Sequence, residues 1–355
     1  MTLTFADLFL IMRLQETYMQ RCLQLASLGA GHVAPNPLVG AVLVCNGRII
    51  GEGYHEQYGG PHAEVNCINS VAEADKHLIP ESTIYVSLEP CAHFGKTPPC
   101  ADLIIAHKIP KAVIGCRDPF KEVDGKGIEK LQRAGVEVIS GILEKECREL
   151  NKRFFCFHTK QRPFIILKWA QSADGKLAAM GSERTLISNE YSNCLVHKWR
   201  SEEAAIMVGT NTALNDNPTL TTRLWKGKDP VRIVMDMHLR LPQSLNLFNG
   251  TEKTIVFNSV KHEEQPHLQW YKIDPGADIL QQVCTALYQM NIQSVMVEGG
   301  TQLLQSFINQ HLVDEIRVIE NTALQIGIGL AAPQFSNMVL KEQLKLIGDE
   351  VKIYQ

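Results

Sequence analysis

No apolar run in this chain reaches the roughly 18 residues that a membrane helix needs. The first ten residues carry Asp7 and no basic start, so they do not read as an export signal. Neither charge sign dominates. Lysine plus arginine number 35 against 38 aspartates and glutamates, a formal net charge of −3. That balance gives no electrostatic reason to expect nucleic acid as a partner. No repeat links the two halves, and no G-x-G-x-x-G follows a strand, so a Rossmann dinucleotide fingerprint is missing. What remains is globular: 45% of residues are apolar and 21% charged. At 355 residues, two domains are the natural expectation. Ten cysteines without an export signal imply reduced thiols in a cytoplasm.

Two of those cysteines stand in a pattern. His62-Ala63-Glu64 is followed by Glu89-Pro90-Cys91 and, after eight residues, by Cys100. One His, one Glu and two Cys in this order outline a zinc deaminase site. His62, Cys91 and Cys100 would hold Zn²⁺ and leave a fourth position for water, whose pKa falls to about 7 there. Glu64, which is not a ligand, would move the proton from water to the leaving nitrogen. The bland alternative, two core cysteines and a surface histidine, requires four residue types to coincide by chance. His93 lies between the cysteines, but the other three ligands already fill a catalytic set. The remaining eight cysteines read as small buried apolar residues.

In chain order, residues 1–15 have no clear role, and spacing predicts a helix over 16–28 that stops at Gly29. Leu38–Cys45 and Arg48–Gly53 flank Asn46-Gly47, a type I′ hairpin signal. Pro35-Asn36-Pro37 leads into this hairpin and holds Asn36 in extended backbone. Asn36 reads either as a contact to a substrate sugar or as a turn residue. Helices are expected from the His62 turn to Ala74, over Cys100–His107, Ile128–Ala134 and Leu143–Phe155. Strands are expected over Thr83–Leu88, Ala112–Cys116 and Val136–Ile139. This alternation predicts a mixed sheet with helices on both faces. Both metal-bearing turns then open helices, whose positive ends favour thiolates.

The polar stretch His158–Arg162 reads as a boundary, which divides the chain into domains 1–157 and 163–355. Strands follow at Phe164–Ala170, Ala204–Gly209, Val231–Met235, Thr254–Phe257 and Ser294–Val297. Helices follow at Tyr191–Arg200, Ile279–Met290 and Thr301–Asn309, again implying a parallel or mixed sheet. Three stretches carry chemistry: Lys168 to Lys176, Gly209 to Arg223, and Val297-Glu298-Gly299-Gly300-Thr301. In the third, paired glycines before a helix let backbone approach a phosphate at a helix N-terminus.

Leu88-Glu89-Pro90-Cys91-Ala92-His93, Thr97-Pro98-Pro99-Cys100 and Pro35-Asn36-Pro37-Leu38-Val39-Gly40 resemble the riboflavin-pathway pyrimidine deaminases. The three later stretches, in this order, resemble the reductase half of the bifunctional members of that family. The resemblance runs from about Glu16 onward. It implies an N-terminal cytidine-deaminase-like domain and a C-terminal dihydrofolate-reductase-like α/β domain. It further implies zinc-dependent deamination of 2,5-diamino-6-ribosylamino-4(3H)-pyrimidinone 5′-phosphate, then NADPH-dependent reduction of the ribosyl to the ribityl chain. Position by position, it places NADPH against Ala170, Thr185, Thr212, Asp216 and Gly300, then Thr301, Gln302, Leu303, Leu304, Gln305 and Ser306. It places substrate against Asn36, Glu183, Arg200, Leu220, Arg223 and Glu298. A planar guanidinium suits bidentate phosphate binding, which favours Arg200 and Arg223 for the 5′-phosphate. Lys168 and Asp174 are expected to orient the site rather than transfer protons. The sequence departs from the family pattern at Glu183–Ser188, at Asn217 and over Glu320–Gly329. A homo-oligomer acting on a small phosphorylated molecule is the expected state. The competing reading is a deaminase of another base or nucleoside with a non-catalytic nucleotide-binding C-terminal domain. A purely structural zinc fold is a third reading, against which Glu64 speaks, because a closed four-ligand site needs no adjacent carboxylate.

Overall fold

The structure is a computed structural model that describes residues 5–94, 98–181 and 185–355, with side chains from residue 12 onward. The chain separates into two compact units, Met1–Lys160 and Gln161–Gln355. No helix among the described residues is long and apolar enough to cross a membrane.

In the first unit, helix α1 (Phe5–Ser27) precedes strands β1 (Gly40–Cys45) and β2 (Arg48–Tyr54). The predicted hairpin forms, with both turn residues left-handed: Asn46 at φ 49° and Gly47 at φ 77°. Then come α2 (Ala63–Asn69), β3 (Thr83–Leu88), α3 (Cys100–Ala106), β4 (Lys111–Cys116), α4 (Lys126–Arg133) and β5 (Glu137–Ser140). Helices α5 (Glu144–Leu150) and α6 (Lys152–Lys160) close the unit. The sheet order is β2-β1-β3-β4-β5, with β1 antiparallel to both neighbours and β3, β4 and β5 parallel. Alternation along β1 and β4 sends Ala41, Leu43, Ala112 and Ile114 to one core and Val42, Val44 and Val113 to the other. Helices α2, α3 and α4 cover the first face; α1, α5 and α6 cover the second.

Two helix predictions need correction. The zinc-bearing helix α2 ends at Asn69 rather than continuing to Ala74. The Ser70 hydroxyl turns back to the Cys67 carbonyl and accepts from the Glu52 N–H, both at 2.8 Å, which stops the helix at that point. The predicted helix Leu143–Phe155 is two helices broken at Asn151. Its side chain pairs with the N–H and carbonyl of Leu38 at 2.8 and 2.9 Å, a contact local spacing does not reveal. The stretch 1–15 left open by the sequence is helical from Phe5.

The second unit opens with β6 (Phe164–Ser172), β7 (Lys176–Ala179), α7 (Glu190–Glu202), β8 (Ala205–Gly209), α8 (Thr210–Asp216) and β9 (Val231–Met235). It continues with β10 (Thr254–Asn258), β11 (Glu263–Gln265), β12 (Leu268–Lys272), α9 (Ile279–Gln289), β13 (Ser294–Gly299) and α10 (Thr301–Asn309). The last strands are β14 (Glu315–Asn321), β15 (Gly329–Ala331), β16 (Leu340–Leu346) and β17 (Asp349–Tyr354). The main sheet runs β11-β12-β10-β9-β8-β13-β6-β14-β17-β16. It is parallel from β12 to β14 and antiparallel at both edges. Two α/β units, each with a mixed sheet, agree with the predicted fold class. The departures over Glu320–Gly329 do not prevent strand formation: β14 pairs with β6 and β17, and β15 pairs with β7. Strands β8, β13 and β6 are neighbours, so Gly209, Gly299 and Ala170 gather at their carboxyl ends, where open parallel sheets bind ligands.

Candidate active sites

In the first unit the three expected metal ligands meet. His62 is the N-cap of α2, Cys91 follows β3, and Cys100 opens α3. His62 Nδ1 lies 3.7 Å from Cys91 Sγ and 3.3 Å from Cys100 Sγ. Tetrahedral zinc with bonds of about 2.0–2.3 Å sets its ligand atoms roughly 3.5–3.8 Å apart, so the donor set fits the metal. These three form the one such cluster among the described residues, and His93 is outside it. The backbone N–H of Cys100 donates to Cys91 Sγ at 3.3 Å. With the Cys100 thiol donating as well, Cys91 is held as a thiolate at about 4, and Cys100 is pushed up in turn. Hydrogen bonding to Cys91 raises His62. Glu64 sits in the first turn of α2, 3% exposed, and burial pushes its carboxyl up.

Two residues near this cluster had no role in the sequence reading. The Glu89 carboxylate is buried, and it accepts backbone N–H bonds from Asp118, Gly125, Gly127 and Ile128 at 2.9 to 3.2 Å. It ties the loop before α4 to the turn that carries Cys91. A Cβ on Gly127 would lie 1.9 Å from the Pro90 carbonyl oxygen, so only glycine permits this approach. Burial, with Glu89 and Cys91 nearby, pushes Asp118 up to about 7. His55 is the second such residue. Its Nδ1 meets the Pro61 carbonyl at 2.9 Å and its Nε2 meets Asn36 Nδ2 at 3.0 Å. Its ring stands edge-on to His62, with centroids 5.5 Å apart. Asn36 is therefore anchored beside the metal ligands, two residues before the hairpin approach begins. Seven of the other cysteines are buried as expected; Cys194 is half-exposed and donates to the Leu224 carbonyl at 3.1 Å.

In the second unit, Thr212 packs against the Gly299-Gly300 turn. Gly300 adopts φ 85°, a left-handed conformation suited to glycine, just before α10. Thr301 opens that nine-residue helix, and its hydroxyl is buried without a partner. Leu304 is in the core, Gln305 binds the backbone of Gln334, and the Ser306 hydroxyl donates to the Gln302 carbonyl. Asp216 is exposed at the end of α8. The Thr185 hydroxyl accepts from the Ala179 N–H at 3.1 Å; Glu183 lies outside the described residues.

Arg200 reaches Glu298 through two hydrogen bonds of 2.6 and 2.7 Å and donates to the Thr221 carbonyl at 3.1 Å. Three of its five N–H groups are thus taken by protein groups. Lys168 Nζ lies 3.9 Å from Glu298, and burial pushes this amine down. Leu220 is buried at φ 53°, while Arg223 is exposed and donates to the hydroxyls of Thr219 and Thr221. Asp174 binds Ser172 and the N–H groups of Ile326 and Gly327, which joins the β6–β7 turn to the chain before β15.

Residues 12–116 match the family model of the cytidine and deoxycytidylate deaminase zinc-binding region, and residues 163–327 match that of the RibD C-terminal domain. Fold and sites together define a two-domain enzyme, a zinc deaminase followed by an α/β reductase. The riboflavin biosynthesis protein RibD of Aquifex aeolicus is 39% identical over 360 residues, spanning 97% of this chain and 99% of its own. The chain belongs to the RibD family. A crystal structure from Thermotoga maritima, a diaminohydroxyphosphoribosylaminopyrimidine deaminase/5-amino-6-(5-phosphoribosylamino)uracil reductase, aligns with a TM-score of 0.88. Its identity is 36%, over 97% of this chain and 99% of that one. Acinetobacter baumannii RibD aligns at 0.86, with 30% identity over 97% and 99% of the two chains.

Proposed function

We propose that this chain deaminates a 2,5-diamino-6-ribosylamino-pyrimidinone 5′-phosphate and then reduces its ribosyl group with NADPH, each half performing one step. The observation that carries the reading is the buried Glu64 beside a three-ligand cluster that leaves a position for water. His62, Cys91 and Cys100 would hold zinc, which would lower the pKa of that water to about 7. Glu64 takes its proton and delivers it to the departing nitrogen; its burial keeps the carboxyl able to carry that proton. Asn36, held by His55, orients the nucleotide.

In the second half, NADPH supplies the hydride. Gly300, the free N–H groups of α10 and the unpartnered Thr301 hydroxyl would hold its phosphates, a donor set that fits an anion. Ala170 and Thr212 flank this turn, and Asp216 and Thr185 complete the proposed cofactor contacts. Arg223 takes the substrate 5′-phosphate. Arg200, engaged with Glu298, holds that carboxylate toward the ribose, with Leu220 below and Lys168 orienting the site. Homo-oligomeric assembly is supported by the exposed edge strand β16, where Leu340 and Leu344 are open to solvent. Sedimentation velocity tests it.

The test of the whole reading is turnover of the diaminopyrimidine substrate by purified protein, with and without NADPH. Ammonia release that needs no NADPH, followed by NADPH oxidation, is expected. Ammonia without NADPH consumption would leave the competing reading, a deaminase with a non-catalytic second domain.

A further inference from the structure

A buried cluster of charges docks helix α7 on the sheet. Register sets Arg317 of β14 beside Lys168 of β6, so the two side chains share one face, and Glu315, two residues earlier on β14, shares it too. The Arg317 Nε donates to Glu315 Oε1 at 2.6 Å, and its Nη2 donates to Glu203 Oε1, just past the end of α7, at 3.3 Å. The guanidinium carbon stands 4.8 Å from the centroid of the Trp199 ring, also on α7. None of the three charged side chains is more than 5% exposed. Gln355 Nε2 donates to the second Glu315 oxygen at 3.1 Å.

One guanidinium thus grips the end of α7 twice, at Trp199 and at Glu203, and is fixed to its own strand through Glu315. Arg200 follows Trp199 directly and lies between the two grips. Its bonds to Glu298, at 2.6 and 2.7 Å, require that end of the helix at one height and one rotation over β13. Packing alone does not ask for an arginine at position 317. Among the described residues its Nη1, which is buried, has no partner, and that costs stability. An apolar side chain of similar volume often serves a buried site as well as an ion pair does, or better. What it cannot do is fix a helix by directed bonds to two separate groups.

We propose that Arg317 is a positioning residue of the reductase half: by holding α7 at Trp199 and Glu203, on either side of Arg200, it sets the Arg200 fork and with it the Glu298 carboxylate that faces the substrate. The proposal rests on the reading of Glu298 as a substrate contact. Arg317 acts through Arg200 and is not itself part of the substrate contacts.

The test is steady-state reductase kinetics of the full chain with 5-amino-6-(5-phosphoribosylamino)uracil and NADPH, beside calorimetric titration with NADPH. Arg317→Lys keeps the charge but cannot reach Glu315, Glu203 and Trp199 at once. It is expected to raise the substrate KM about five- to tenfold, the scale of a change passed through a packed network. The Kd for NADPH and the rate of ammonia release should change little. Arg200→Ala should raise the substrate KM by itself, and adding Arg317→Lys to it should raise the KM no further, because the effect runs through Arg200. A side chain that merely stabilises the fold would not give that result. Circular dichroism checks folding. Where a variant does not fold, Glu203→Gln replaces Arg317→Lys and Glu298→Gln replaces Arg200→Ala in the same comparisons. An unchanged substrate KM in Arg317→Lys, an equal rise in the Kd for NADPH, or effects that multiply in the double variant overturn the proposal. A wild-type substrate KM in Arg200→Ala overturns the reading of the Arg200–Glu298 pair and this proposal together. A raised KM there, with none in Arg317→Lys, overturns this proposal alone.

Discussion

Arg200 and Glu298 grip each other with two hydrogen bonds, Nε to Oε1 at 2.6 Å and Nη2 to Oε2 at 2.7 Å, and their side chains are only 12% and 7% exposed. Burial alone would push the Glu298 carboxyl up, but Arg200 and then Lys168 outweigh it and hold the group at about 2. Arg200→Ala leaves this charge with Lys168 at 3.9 Å. Breaking a buried pair in this way costs about 3–5 kcal/mol, read by urea unfolding. The folded pKa lies below the ordinary value near 4.3, so the pair stabilises fully above that value. Its contribution fades as pH falls toward about 2. The stability gap between wild type and Arg200→Ala should therefore be constant near neutrality and narrow below about pH 4. A gap that widens in acid would contradict the pairing.

Glu64→Gln keeps the shape of the buried side chain and removes its ability to carry a proton. Zinc content, measured on the purified variant, should stay at one ion per chain, because His62, Cys91 and Cys100 are untouched. Ammonia release should fall by at least about a hundredfold, the usual scale of a lost general acid-base. Reduction of already deaminated substrate should continue. Substantial deamination by this variant would remove Glu64 from the mechanism.

The zinc cluster was legible in the sequence because the chemistry dictates residue type and order, and each ligand sits at the start or end of a predicted element. The Asn46-Gly47 turn and the helix after Gly300 were legible for local backbone reasons. What escaped depends on distance along the chain. The break at Asn151 answers to Leu38, 113 residues away. Arg200 and Glu298 are 98 residues apart, so their pairing does not show in the sequence. Glu89 had no role in the sequence, since its four donors lie 29 to 39 residues on. Strand β16 is exposed along nearly its whole length and shows no alternation of burial.

Glu89 offers a direct test of that hidden contact. Both of its oxygens accept, and the four donors are backbone N–H groups. Glu89→Gln turns one oxygen into a donor that faces donors. The expected loss is about 1–3 kcal/mol of stability, and the deaminase should weaken while reduction of deaminated substrate continues. Thermal unfolding and the two assays run in parallel check this. Equal loss of both activities would show a general folding defect instead.

Thr301 distinguishes a cofactor contact from a structural hydroxyl. In the protein alone its Oγ1 is buried and bonds to nothing, which is a cost in folding rather than a gain. Thr301→Val keeps the branched shape and removes that oxygen. The variant should be as stable as wild type, or more so, by urea unfolding. If the hydroxyl waits for a phosphate oxygen of NADPH, the same change should raise the Kd for NADPH about five- to tenfold, as loss of a hydrogen bond to a charged group predicts. Substrate KM should change little, since Arg223 and Glu298 are unaltered. Calorimetric titration with NADPH reads the affinity directly. A variant that is destabilised yet binds NADPH normally would place the hydroxyl in the fold and leave the phosphate to the backbone of Gly300 and the first turn of α10.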